Sequence, residues 1–217
     1  MSYRLLFFII YFLIFNSFLF AEEVSIIDKF EAFKKDIKVF SIVANIKIPL
    51  KDKLHQEDRY EIVKLKLLFQ KPYFFRTEYK SGLQTVITVC DGENIFTNTK
   101  GDKYIYVQKV DKELFTSRDF KIFIGILNEP LEKEYNVSYF KKNNFFEILL
   151  IPDEQDEIKK IKVLITEDLI IKKIDIYING NNDRPIEAII KDFVIFTEIK
   201  PSKFKLDTKD KEIVEIK

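Results

Sequence analysis

The sequence predicts a mainly β chain: a large antiparallel sheet of about ten or eleven strands that must curl, with two helices packed on it. Three observations carry this. Apolar and polar residues alternate with a period of two through most of the 217 residues, short turn signals interrupt that alternation at close intervals, and the period changes to that of a helix only twice.

The first helical stretch covers residues 24–38, where Ile26, Phe30, Phe33 and Ile37 recur at helical spacing with Lys and Glu between them. From Phe40 the period becomes two. Phe40, Ile42, Ala44, Ile46 and Ile48 fall on one side, with Ser41, Asn45 and Lys47 on the other. After a polar loop at 51–59, Val63, Leu65, Leu67 and Phe69 alternate with Lys64 and Lys66. Tyr73, Phe75, Thr77 and Tyr79 then alternate with Arg76 and Glu78. Ser81-Gly82, Asp91-Gly92 and Lys100-Gly101-Asp102 mark tight turns between the strands that follow, as an antiparallel meander requires. The second helical stretch, 117–128, carries Phe120, Phe123, Ile124 and Leu127 and stops before Pro130. Strand patterns resume at 135–140, 145–151, 158–165, 169–178 and 186–196.

Residues 1–21 read as a secretory signal peptide: Arg4, an unbroken apolar run at 5–15, and Ala21 before a cleavage point. Residues 22–217 then form a single domain. The alternative is a retained anchor, because Leu19 suits a cleavage site poorly and the apolar stretch approaches the length that spans a bilayer. The one cysteine is Cys90, so no lipid-modified cysteine follows the signal and no internal disulfide can form. Without residues 1–21 the 36 basic residues become 35, matching the 35 acidic ones. Balanced, interspersed charge points away from nucleic acid.

Catalytic chemistry finds little support. The single histidine, His55, sits in the most polar loop, and one His with one Cys builds no His/Cys metal set. No serine lies in a Gly-x-Ser-x-Gly turn. The acids Asp153, Glu154, Asp156 and Glu157 lack the glycine and spacing of a calcium loop, and Asn136-Val137-Ser138, a glycosylation tripeptide, falls inside an expected strand. No catalytic residue, metal or cofactor is expected. What stands out is apolar supply: sixteen of the 22 phenylalanines lie outside the signal. A large concave sheet under two short helices leaves room for an apolar cavity.

The stretch Lys71-Pro72-Tyr73-Phe74-Phe75-Arg76, the later Asp91-Gly92-Glu93-Asn94-Ile95-Phe96, the helix around 120–127 and the closing segment 193–216 with Pro201 and Phe204 together resemble the outer-membrane lipoprotein carrier family, LolA. The resemblance implies an incomplete, half-open antiparallel β-barrel covered by two or more α-helices as a lid. It implies a periplasmic carrier, not an enzyme, that takes the acyl chains of lipoproteins at the inner membrane and moves them toward the outer membrane. Acylated lipoproteins, an inner-membrane lipoprotein-releasing ABC transporter and an outer-membrane acceptor would be its partners, and the carrier itself is expected to be a monomer. Phe40, Ile42, Leu65, Leu67, Phe69, Phe75, Phe120 and Phe123 would line or lid the acyl cavity. Lys71 stands where the family usually has an Arg that holds the lid closed, and Lys lacks the planar fork of that side chain. The alternative is an envelope regulator that senses lipid or lipoprotein on the same fold.

Overall fold

The structure is a computed structural model in which residues 25–50, 59–110, 124–153, 157–180 and 184–216 are described. The signal segment, His55, Phe120 and Phe123 lie outside the described residues. The first helix, α1 (Ile26–Asp36), begins where Ser25 Oγ accepts the Ile27 N–H at 3.1 Å. Asp28 in its first turn and Lys34 and Lys35 in its last complement the helix dipole. Ile37 has extended backbone and ends the helix, yet its side chain stays buried, continuing the apolar stripe onto the sheet.

Twelve strands follow: β1 (Val39–Pro49), β2 (Tyr60–Gln70), β3 (Phe74–Ser81), β4 (Gln84–Asp91), β5 (Asn94–Thr99), β6 (Tyr104–Lys109), β7 (Tyr135–Lys142), β8 (Phe145–Pro152), β9 (Ile158–Thr166), β10 (Ile171–Ile178), β11 (Ile186–Phe196) and β12 (Glu212–Glu215). Between β6 and β7 lie the single turn α2 (Ile126–Asn128) and a 3-10 turn at Leu131–Lys133.

All twelve strands belong to one sheet, in the order β12-β6-β5-β4-β3-β2-β1-β11-β10-β9-β8-β7. Two antiparallel meanders, β1–β6 and β7–β11, are joined by the β1–β11 pair, and the sheet does not close on itself. A bulge between Val43 and Ala44 on that central pair adds local twist and helps the sheet curl. The mainly β, open architecture therefore agrees with the sequence, but the described residues hold twelve strands where ten or eleven were expected. The additional strand is β12, which pairs parallel to β6. Its four residues are all exposed, so it carries none of the alternation by which strands are read from sequence.

The two faces of the sheet are covered differently. On the inward face, Ile26, Ile27 and Phe30 of α1, with Ile124, Ile126, Leu127 and Leu131, join the buried residues of the strands in one core. On the outward face of β3–β6 the C-terminal segment lies across the sheet. Phe204, in a 3-10 turn at Pro201–Phe204, meets Phe74 with ring centroids 5.7 Å apart, and Arg76 Nη1 donates to the Lys205 carbonyl at 3.2 Å. Val89 and Ile105 are fully buried on that outward side. Gly92, at φ +96°, makes the close turn between β4 and β5. A Cβ there would come within 3.1 Å of the Phe74 ring, so another residue at this position is strained by the backbone and needs the ring to give way.

Because Phe204 is the anchor that seats the segment leading to β12, Phe204→Ala should cost about 3 kcal/mol in urea unfolding. The same variant should lose hydrogen-exchange protection at the amides of β12 while those of β1 and β2 keep theirs.

Candidate ligand-binding site

The inward face is assembled by strand register. Phe40 on β1 lies opposite Phe69 on β2, Phe69 opposite Phe75 on β3, Phe75 opposite Cys90 on β4, and Cys90 opposite Ile95 on β5. This is one cross-strand row, and every member is buried. The Phe40 and Phe69 rings stand 5.3 Å apart, and Phe193 of β11 stacks on Phe40 at 5.9 Å. The next row runs from Ile42 to Leu67 and then to Thr77, Thr88 and Thr97. Leu65 lies opposite Ala44 in the row beyond. Thus Phe40, Ile42, Leu65, Leu67, Phe69 and Phe75, six of the eight positions expected from the sequence, lie together on one continuous inward surface, while Phe120 and Phe123 fall outside the described residues.

Helix α1 and the segment 124–133 cover this surface, and they are held there by polar contacts at one end. Lys71, in the turn between β2 and β3, donates from Nζ to the Lys34 carbonyl at 2.9 Å. Lys34 in turn donates from Nζ to the Glu129 carbonyl at 2.7 Å and pairs with Glu31 at 2.7 Å. Glu31 also accepts the Leu131 N–H at 3.0 Å. One chain of hydrogen bonds therefore ties the sheet, the helix and the covering segment.

Lys34 is the residue that sequence reading missed. It sits one turn beyond Phe30 on the apolar stripe of α1 and its side chain is only 4% exposed. A lysine at a stripe position was the available signal. Burial pushes its ammonium below the usual lysine range, and Glu31 opposes that through a hydrogen bond and its charge. Burial lowers Lys71 as well, against the pull of Glu129. A charge this far from water is tolerated only with its partners in place.

Cys90 is fully buried in the aromatic row, and burial raises its thiol above the usual range, which disfavours the thiolate a nucleophile needs. Among the described residues no three His, Cys, Asp or Glu side chains are grouped to hold a metal, and no helix is long and apolar enough to cross a membrane.

The class of architecture is an unclosed sheet whose apolar inward face is covered by a hydrogen-bonded helix. The sequence profile of the family described as outer membrane lipoprotein carrier protein LolA matches residues 51–207, well over half of the chain, and the protein belongs to that family. No curated protein matches the sequence. Among solved structures, an uncharacterized conserved protein from Thermus thermophilus has a similar fold, with a TM-score of 0.55 at 8% identity, covering 88% of this chain and 97% of that one. A LolA superfamily protein from Nitrosomonas europaea aligns with a TM-score of 0.38 at 9% identity over 79% of this chain and 92% of its own. A MucA/MucB complex from Pseudomonas aeruginosa aligns at 0.39 and 8% identity, covering 87% of this chain and 62% of the matched one.

If Lys34 and Glu31 act as a pair, their effects should not add. Lys34→Met should destabilise by about 2–3 kcal/mol, because the partly buried Glu31 carboxylate loses its cation and the Glu129 carbonyl its donor. Combining it with Glu31→Gln, which keeps an acceptor for the Leu131 N–H, should restore part of that loss in urea titrations of all three variants.

Proposed function

We propose that this protein is a periplasmic carrier that binds the acyl chains of lipoproteins against the inward face of its sheet and moves them from the inner membrane toward the outer membrane. The observation that carries this reading is the continuous apolar surface from Phe40 to Ile95, covered by an element fastened through hydrogen bonds at Lys34 and Lys71. Membership of the family supports it.

The mechanism follows from competition for one surface. In the closed state Ile26, Ile27, Phe30, Leu127 and Leu131 fill the space against the strands. An incoming acyl chain replaces those side chains, and the burial it gains, about 0.8 kcal/mol per CH₂, offsets the apolar contacts that the lid gives up. The net affinity is therefore the difference between two burials, which keeps binding reversible. Lys71 serves as the latch between sheet and helix, with Lys34 and Glu31 extending it to the covering segment. Lys donates through a single rotatable ammonium, so this latch releases more readily than a bidentate Arg would. The signal peptide at 1–21 delivers the chain to the periplasm, where an ABC transporter in the inner membrane and an acceptor at the outer membrane are its exchange partners.

The decisive test is capture in cells. A photoreactive benzoylphenylalanine at position 75 should crosslink to acylated lipoprotein; adducts with neither lipoprotein nor lipid would refute the carrier reading. In vitro, the purified mature protein should bind a fluorescent fatty acid saturably. Lys71→Met should speed probe association severalfold in stopped flow, and an unchanged rate would remove Lys71 from the latch.

A further inference from the structure

The inward surface is not uniformly apolar. Ile42 and Leu67 begin the second cross-strand row and are buried, but the row continues as Thr77, Thr88, Thr97 and Tyr106, each directly opposite the next. These four side chains share the inward side with Phe75, Cys90 and Ile95, and they are half-buried or exposed where the first row is closed. Thr88 and Thr97 hydroxyls lie 3.4 Å apart and bond to each other. Thr77 Oγ1 and the Tyr106 hydroxyl meet no side-chain or backbone partner among the described residues.

Threonine suits any strand, so single examples mean little. Three in one register row, which turns apolar on the adjacent strand β2, make a boundary. A hydroxyl that faces a space from which a lipid expels water needs a hydrogen-bond partner, and an acyl chain has none along its length. Its one acceptor-rich part is the linkage by which it is attached.

We propose that this row binds the ester or amide linkage of an acylated ligand, with the Thr and Tyr hydroxyls donating to its carbonyl oxygens while the hydrocarbon lies on the aromatic row beside it. The inference rests on the acyl-carrier reading and deepens it: the ligand class becomes carbonyl-linked acyl groups rather than hydrocarbon in general. The chains then have a defined direction, tails toward β1 and β2 and linkage toward β3–β6.

The test compares two ligands of one shape, dipalmitoylglycerol and dihexadecylglycerol, whose ether linkages lack the carbonyls. Each is titrated against the mature protein loaded with a naphthylamine probe. The native protein should bind the ester about tenfold more tightly, the size expected for one or two hydrogen bonds. The triple variant Thr77→Val, Thr88→Val, Thr97→Val should bind both ligands alike, with the ether affinity at the native value. Equal binding of ester and ether by the native protein, or an ester preference that survives in the triple variant, overturns the proposal. If the triple variant does not fold, Thr88→Val is read in its place by the same criteria. If neither ligand displaces a bound probe, the acyl-carrier reading itself fails, and that outcome is separate from equal binding. A dipalmitoylated cysteinyl peptide offers the same carbonyls from a lipoprotein source, and its affinity relative to dipalmitoylglycerol distinguishes the two origins.

Discussion

An apolar sheet face that does not close on itself must be covered by something, and most of this protein follows from that constraint. Eleven antiparallel strands present Ile, Val, Leu and Phe on one side, and β12 adds a short parallel edge without completing a barrel. Burial of that side is the dominant favourable term in the fold. Helix α1 and the segment around α2 supply the cover on one side of the sheet, and the C-terminal segment covers part of the other.

The two covers are built on different physics. The outward one is anchored by aromatic packing of Phe204 on Phe74, against a glycine that leaves room for the ring. The inward one combines an apolar stripe with a buried lysine, Lys34, whose ammonium spans from Glu31 to the Glu129 carbonyl. Purely apolar packing would hold a helix down without a discrete release point. A hydrogen-bonded charge concentrates part of the attachment in a few bonds, and such bonds give way sharply because each depends on short distance and alignment.

Which residues share a face also sets what the sheet can bind. The charged surface of the sheet carries partly exposed pairs such as Lys162–Glu147 at 3.3 Å and Lys173–Asp175 at 2.9 Å, which contribute little to stability and keep that face wet. Along β3, β4 and β5 the inward side passes from the aromatic row to the hydroxyl row, and across the strands the second row passes from Ile42 and Leu67 to Thr77, Thr88 and Thr97, so polarity changes in both directions. A ligand lying across β1–β5, as proposed, would meet hydrocarbon and hydrogen-bond donors in sequence.

Sequence alone determined the strand periodicity, the inward parity of Phe40, Ile42, Leu65, Leu67, Phe69 and Phe75, the first helix and the family, because each is written in local spacing of two or 3.6 residues or in a short run such as 71–76. It did not disclose β12, whose residues are exposed on both faces and so lack any alternation. Nor could it place Lys34, because the Glu129 carbonyl it meets is 95 residues away and a backbone acceptor has no signature in the side-chain pattern. The row of Thr77, Thr88 and Thr97 was likewise decided by tertiary structure. Each threonine is unremarkable in its own strand, and only the register of β3, β4 and β5 brings the three hydroxyls into line.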